Sequence, residues 1–188
     1  MKRVVTILAA LVLVAAVGRS ASAAPVLGGQ LYYTGGAVTV TSMPVSSGYV
    51  SELGLYDGSF SRLLYIMNDE PAGVVASFDP GADFGISIGS ELIFGIRIVA
   101  GDPLNQEYFM GPAGRNADGI MHAAVDSLGG GVFTVGFEDL YGGGDRDFDD
   151  NVFRFEGGVQ ANEVPEPATL SLLALGLIPA ALRKRRSR

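Results

Sequence analysis

VFTVGFEDLYGGGDRDFDDNVFRFE, Val132 to Glu156, holds two short alternating runs on either side of a glycine- and aspartate-rich turn. In the first run Phe133, Val135 and Phe137 share one face, opposite Thr134 and Gly136. In the second, Phe153 and Phe155 point one way and Arg154 the other. Alternation of this kind is the period of a strand with one buried face, and the turn between the runs predicts an antiparallel hairpin.

The same grammar extends upstream. ELIFGIRIV, Glu91 to Val99, sets Leu92, Phe94, Ile96 and Ile98 against Arg97. Tyr49 to Tyr56, Arg62 to Asn68 and AVTVTSM after Gly36 read similarly. Of the 141 residues from Ala24 to Val164, 25 are glycine, more than twice the usual ~7%, so turns punctuate the runs. No stretch of this body sustains a helical period over a full helix length. The expectation is an all-β fold, a single antiparallel β-sandwich of jelly-roll-like form over residues 24–156. GGVQANEVPEP, Gly157 to Pro167, reads as a linker.

Charge separates the body from the ends. From Ala24 to Val164 five arginines face 19 acids, a net charge of −14, which offers no basic stripe for nucleic acid. Lys2 and Arg3 precede an apolar run from Val4 to Val17, and Ala21-Ser22-Ala23 supplies small residues for cleavage between Ala23 and Ala24. Residues 1–23 therefore read as a secretory signal peptide. With no cysteine, an exported chain must rely on core packing or a bound ion rather than disulfides. At the other end Ala168 to Leu182 is apolar, too short for a full ~30 Å span, interrupted by Pro179 and closed by RKRRSR at 183–188. This predicts a short transmembrane sorting helix with a basic cytoplasmic tail.

Pro165-Glu166-Pro167, the hydrophobic segment and the arginine-rich end together resemble the PEP-CTERM sorting signal of Gram-negative bacteria. The resemblance implies a membrane transpeptidase-like exosortase as processing partner. It also implies transient anchoring by the C-terminus, and a destination at the cell surface or in an extracellular polysaccharide or biofilm matrix.

The hairpin turn carries the chemistry. Glu138, Asp139, Asp145, Asp147, Asp149, Asp150 and Glu156 crowd 19 residues with only Arg146 and Arg154 to balance them. Each close carboxylate pair repels by ~1 kcal/mol in water, so solvation, the arginines or a hard cation must offset it. An EF-hand register runs through Asp145, Asp147, Asp149 and Glu156, but Asp150 stands where that loop needs glycine and strand follows instead of helix. A nonapeptide calcium β-roll fails because its unit occurs once. Two readings stay open: a non-EF Ca2+ loop curled by Gly142-Gly143-Gly144, or a solvated acidic turn.

NADGIMHAAV, Asn116 to Val125, followed by GFEDLYGGGDRDFDDNVFRF, Gly136 to Phe155, is similar to an uncharacterised domain of secreted and adhesin-like bacterial proteins. Its hallmark is FEDL-x-GGGD-x-D-[FY]-[ND]-D. The resemblance implies a β-sandwich with calcium binding and no catalysis. It makes Asp145, Asp147, Asp149 and Asp150 the leading metal ligands, with Glu138 and Asp139 supporting, and it places Asn116, Asp118 and His122 in the upstream part of the pattern.

His122, the only histidine, reads as a structural hydrogen-bonding residue beside Met121 and Ala123. Gly85-Ile86-Ser87-Ile88-Gly89 matches G-x-S-x-G, but no helix follows Gly89 to make a nucleophile elbow, and Ser87 reads as part of an alternating run. A Glu138–Asp147 glycosidase pair lacks the tryptophan-walled cleft such sites favour. The expected function is a non-enzymatic exported surface or matrix protein stabilised by calcium. The alternative is a calcium-dependent carbohydrate-binding or adhesion module using Tyr32, Tyr33, Tyr108 or Tyr141, and a hydrolase stands third.

Overall fold

Each alternating run becomes a strand because one of its faces can be buried only against another such face. The computed structural model describes residues 24–161. The signal segment with Ala23, the Pro165-Glu166-Pro167 motif, the hydrophobic segment and the basic tail lie outside them. Among the described residues no helix is long and apolar enough to cross a membrane.

In chain order the strands are β1 (Val26–Leu27), β2 (Leu31–Ser42), β3 (Val50–Tyr56), β4 (Arg62–Asn68) and β5 (Val75–Phe78). After a one-turn helix α1 (Pro80–Phe84) come β6 (Glu91–Ala100), β7 (Glu107–Phe109), β8 (Ala123–Gly129), β9 (Val132–Phe137) and β10 (Asn151–Ala161). Asp79 caps α1, accepting from the Gly81 and Ala82 amides, and Gly85 ends it in the left-handed conformation.

All pairings are antiparallel. One layer runs β1-β8-β9-β10-β2, with β5 beside the C-terminal half of β2. The other is β4-β3-β6-β7. A corner joins them where Leu31 and Tyr32 of β2 pair with Leu92 and Glu91 of β6. The chain is thus a sandwich-like all-β domain, as the alternation predicts.

The inner faces hold the core: Leu53, Leu55, Leu92, Phe94, Ile96 and Ile98 from one layer, Val38, Val40, Val135, Phe137, Phe153 and Phe155 from the other. Phe94 and Phe155 meet across the layers with ring centroids 4.6 Å apart. Fully burying each such side chain contributes roughly 1.5–3 kcal/mol, and this packing stands where a secreted protein often has disulfides.

The first five residues of the linker expected from Gly157 are strand. Gly157 to Ala161 continue β10, with a bulge between Gly157 and Val159. A Cβ at Gly157 would overlap the Ala37 carbonyl, and one at Gly158 would lie 2.6 Å from the Gly36 carbonyl. The glycine pair that reads as a flexible joint is therefore a site of close backbone approach. β10 spans roughly 30 Å between Asn151, at the acidic turn, and Ala161, the last described residue.

Candidate metal centre

Glu138 follows directly on β9, and its side chain is fully buried. Its amide donates to the His122 carbonyl at 2.9 Å, and its Oε1 accepts from the Phe148 amide at 2.7 Å. Oε2 is buried and, among the described residues, has no hydrogen-bond partner. Burial pushes this carboxyl up, the Phe148 and Arg146 amides pull it down, and the nearby Asp145 and Asp147 carboxylates push it further up.

The loop that returns to β10 curls around this oxygen. Gly142, Gly143 and Gly144 all have positive φ, and so do Arg146 (64°) and Phe148 (58°), the latter two costly for residues with side chains. Left-handed residues at 144, 146 and 148 break the extended path on which Asp145 and Asp147 would stand too far apart to share an ion. A Cβ on Gly144 would overlap Glu138 Oε2, so only glycine lets the loop close there. A Cβ on Gly136 of β9 would likewise overlap the Phe148 carbonyl.

The result is a cluster in which one carboxylate oxygen each of Glu138, Asp145 and Asp147 lie within 4.8 Å of one another. Oxygens 2.3–2.6 Å from a shared Ca2+ stand no more than about 5 Å apart, so these three fit one hard cation. Glu138 forms the buried floor, and Asp145 and Asp147 are exposed.

The other carboxylates of the turn are engaged differently. Asp139, buried, accepts through Oδ2 from Ser47 Oγ at 2.5 Å and from Asn151 Nδ2 at 3.1 Å. Asp150 Oδ2 accepts from the Asp139 amide at 3.3 Å. Burial, with the Asp139 and Glu138 carboxylates beside it, pushes Asp150 up to about 6. Asp149 is exposed, and its amide donates to Asp147 Oδ1 at 3.3 Å. Its carboxyl is pushed up by desolvation and by Asp147. Of the six candidate ligands the geometry gathers Glu138, Asp145 and Asp147. The physical reason is the alternate left-handed backbone, which period-two counting along the chain cannot anticipate.

The upstream segment braces the loop from behind. His122 is fully buried, Nδ1 against the Glu138 carbonyl at 2.9 Å and Nε2 against Asp118 Oδ2 at 2.8 Å. The carbonyl can only accept, so Nδ1 carries a proton. Asp118 Oδ2 also accepts from the Gly142 amide at 2.9 Å. Burial opposes its charge, but the Gly142 amide, His122 and the Ile120 amide outweigh this and hold its carboxyl below the usual range. Tyr108 stacks on the His122 ring at 4.0 Å. Asn116 ties the Phe109 backbone through both its groups, at 2.7 and 3.1 Å. His122 thus has the structural hydrogen-bonding role its setting predicts. Ser47 lies far away in sequence, in a polar segment with no signal of its own, and escapes sequence reasoning.

Three further expectations change. Tyr33 and Tyr108 are buried and offer no sugar platform, while Tyr141 is 65% exposed. Ser87 sits in the turn between α1 and β6 rather than in a strand, and the helix precedes it. The nucleophile elbow needs the helix to follow.

An all-β sandwich of antiparallel strands with a glycine-rich acidic loop defines the class. Residues 163–186 match the PEP-CTERM protein-sorting motif, and residues 78–158 match a domain of unknown function, DUF4114. The chain carries both. A PEP-CTERM signal marks an exported protein, processed by the membrane enzyme exosortase and destined for the cell surface or the extracellular space. No curated protein and no solved structure matches the chain. The DUF4114 match begins at Phe78, the last residue of β5, yet β2 pairs with β10 and β3 with β6. The upstream strands are integral to the same sandwich.

Proposed function

We propose that this is a non-enzymatic protein of the surface or extracellular matrix of a Gram-negative bacterium, with polysaccharide as its surroundings and Ca2+ as its stabilising ion. The observation that carries the calcium reading is Glu138 Oε2, a buried carboxylate oxygen with no partner, facing a loop that supplies Asp145 and Asp147. Removing a charge from water without a partner costs several kcal/mol, and a hard cation with oxygen preference supplies the missing interaction. Glu138, Asp145 and Asp147 would hold it, and its chemistry would be structural: neutralising the cluster and fixing the curled loop.

Thermal unfolding of the full-length chain in millimolar calcium, in magnesium and in chelator tests this. At the ~10⁻⁴ M affinity usual for extracellular sites, 1 mM calcium adds about 1.4 kcal/mol, or roughly 3–6 °C. A calcium-specific rise that disappears in Asp147→Asn supports the reading, and identical midpoints in calcium and chelator overturn it. The second reading, a calcium-dependent carbohydrate-binding or adhesion module, is favoured by Tyr141 and Leu140, 65% and 41% exposed on the same loop. A glycan pull-down that loses its signal in chelator distinguishes it.

A further inference from the structure

The outward face of the β4-β3-β6-β7 layer is built around two glycines. Gly54 and Gly95 are cross-strand partners, and neither has room for a side chain. A Cβ on Gly54 would lie 2.9 Å from the Tyr56 ring, and one on Gly95 would lie 2.7 Å from the Phe109 ring. Two aromatic rings therefore lie down on bare backbone. They meet edge to face with centroids 4.9 Å apart, and with Ile93 form a cluster separate from the core.

Phe60 adds a third ring, its centroid 4.9 Å from that of Phe109. It is 37% exposed and sits at φ 63°, a strained conformation for an aromatic residue. Tyr65, 47% exposed, is the register partner of Gly54 on β4. Beside the rings, Glu52 Oε2 accepts from Arg62 at 2.6 Å and from Arg97 at 2.8 Å, and Tyr56 donates to Glu107 at 3.3 Å. Arg97 Nε has no partner among the described residues.

We propose that this face is a binding surface for a neutral polysaccharide, with Phe60 and Tyr65 stacking on the apolar faces of sugar rings and the Arg62–Glu52–Arg97 group meeting their hydroxyls. Charge selects the ligand. Two arginines balance Glu52 and Glu107, so the face has no positive excess to hold an anionic chain to a body of net charge −14. An apolar protein partner would have to desolvate the paired ions at a cost. Sugar hydroxyls both donate and accept, and keep those ions hydrogen-bonded as water does. The surface shares no residue with the acidic loop, so it requires no calcium.

Affinity electrophoresis of the full-length chain in mild detergent tests the assignment, with gels containing hydroxyethylcellulose, galactomannan or, as an anionic control, alginate, each with and without chelator. The expected result is retardation by a neutral polysaccharide that persists in chelator and weakens about tenfold in Phe60→Ala and in Tyr65→Ala, roughly 1.4 kcal/mol. Both positions are exposed, and an unchanged circular dichroism melt confirms that the variants fold. No retardation by either neutral polymer, retardation by alginate alone, or equal retardation of the variants overturns the proposal. Retardation that chelator abolishes and the variants retain moves the sugar to the acidic loop, overturning this face while leaving the calcium reading standing.

Discussion

Between β3 and β4 the chain turns around one carboxylate oxygen. Asp57 Oδ1 accepts from the Ser59 amide at 2.8 Å, Ser59 Oγ at 2.7 Å and the Ser61 amide at 2.9 Å. Those bonds hold its carboxyl below the usual range. Between β9 and β10 a longer turn closes on Glu138, whose buried Oε2 has no hydrogen-bond partner among the described residues. Both turns hold glycine and acid, yet one, with a single Asp, consumes its charge locally and the other concentrates it. Asp69, just past β4, shows a third outcome. Its Oδ1 accepts from the Ser51 and Glu70 amides at 3.1 and 2.9 Å, while Oδ2 is buried without a partner among the described residues, and Asp69 belongs to no cluster of three acids such as the one at Glu138. Burial pushes this carboxyl up to about 6. A buried acid without a cluster holds its proton more tightly, a wrapped one is solvated by its own turn, and a clustered one calls for a cation.

The largest expected effect tests the proton at Asp69. Its folded value, about 6, lies above the ~4 of an unfolded aspartate, so the stabilisation is complete below pH 4 and lost as pH rises through 6. Denaturant unfolding across this window should show a loss from this group of no more than about 3 kcal/mol. Asp69→Asn should remove that component and leave the protein more stable than the parent at pH 8. An unchanged pH slope in the variant would mean the carboxyl is solvated after all.

At Glu138 the contrast is with its amide isostere. Glu138→Gln keeps the bond to Phe148 through its carbonyl oxygen and removes a buried charge. In chelator its stability should equal or exceed the parent by about 1 kcal/mol, while the calcium-dependent rise disappears. A variant that still responds fully to calcium would shift the ion away from this floor. The smallest effect belongs to the wrapped turn. Asp57→Ala should lower the midpoint by about 2–4 °C and leave the calcium response untouched, since its bonds are all within five residues. Equal losses of calcium response in Asp57→Ala and Glu138→Gln would erase the distinction between the two turns.

Much of the sandwich is legible in the sequence because alternation is local. Arg62 to Asn68 and Val132 to Phe137 are strands over the full predicted stretches. β5 and β7 are too short to establish a period, and the first half of β2 hides behind Gly35 and Gly36. The acidic turn is equally visible as composition, and the need to curl follows from its spacing. Which acids converge is invisible there, because it depends on positive φ at Arg146 and Phe148 and on the absence of a side chain at Gly136 and Gly144.

The chain's export address, its β character and the crowding of carboxylates at one turn follow from the sequence alone, since they rest on runs, periods and counts along the backbone. Tertiary structure decided the rest. It buried Tyr33 and Tyr108 and laid Tyr56 and Phe109 over paired glycines. It sent Asp139 to Ser47 across 92 residues and left Glu138 as the unpaired floor of the loop. Burial and pairing are properties of surfaces brought together from distant parts of the chain, and no local pattern carries them.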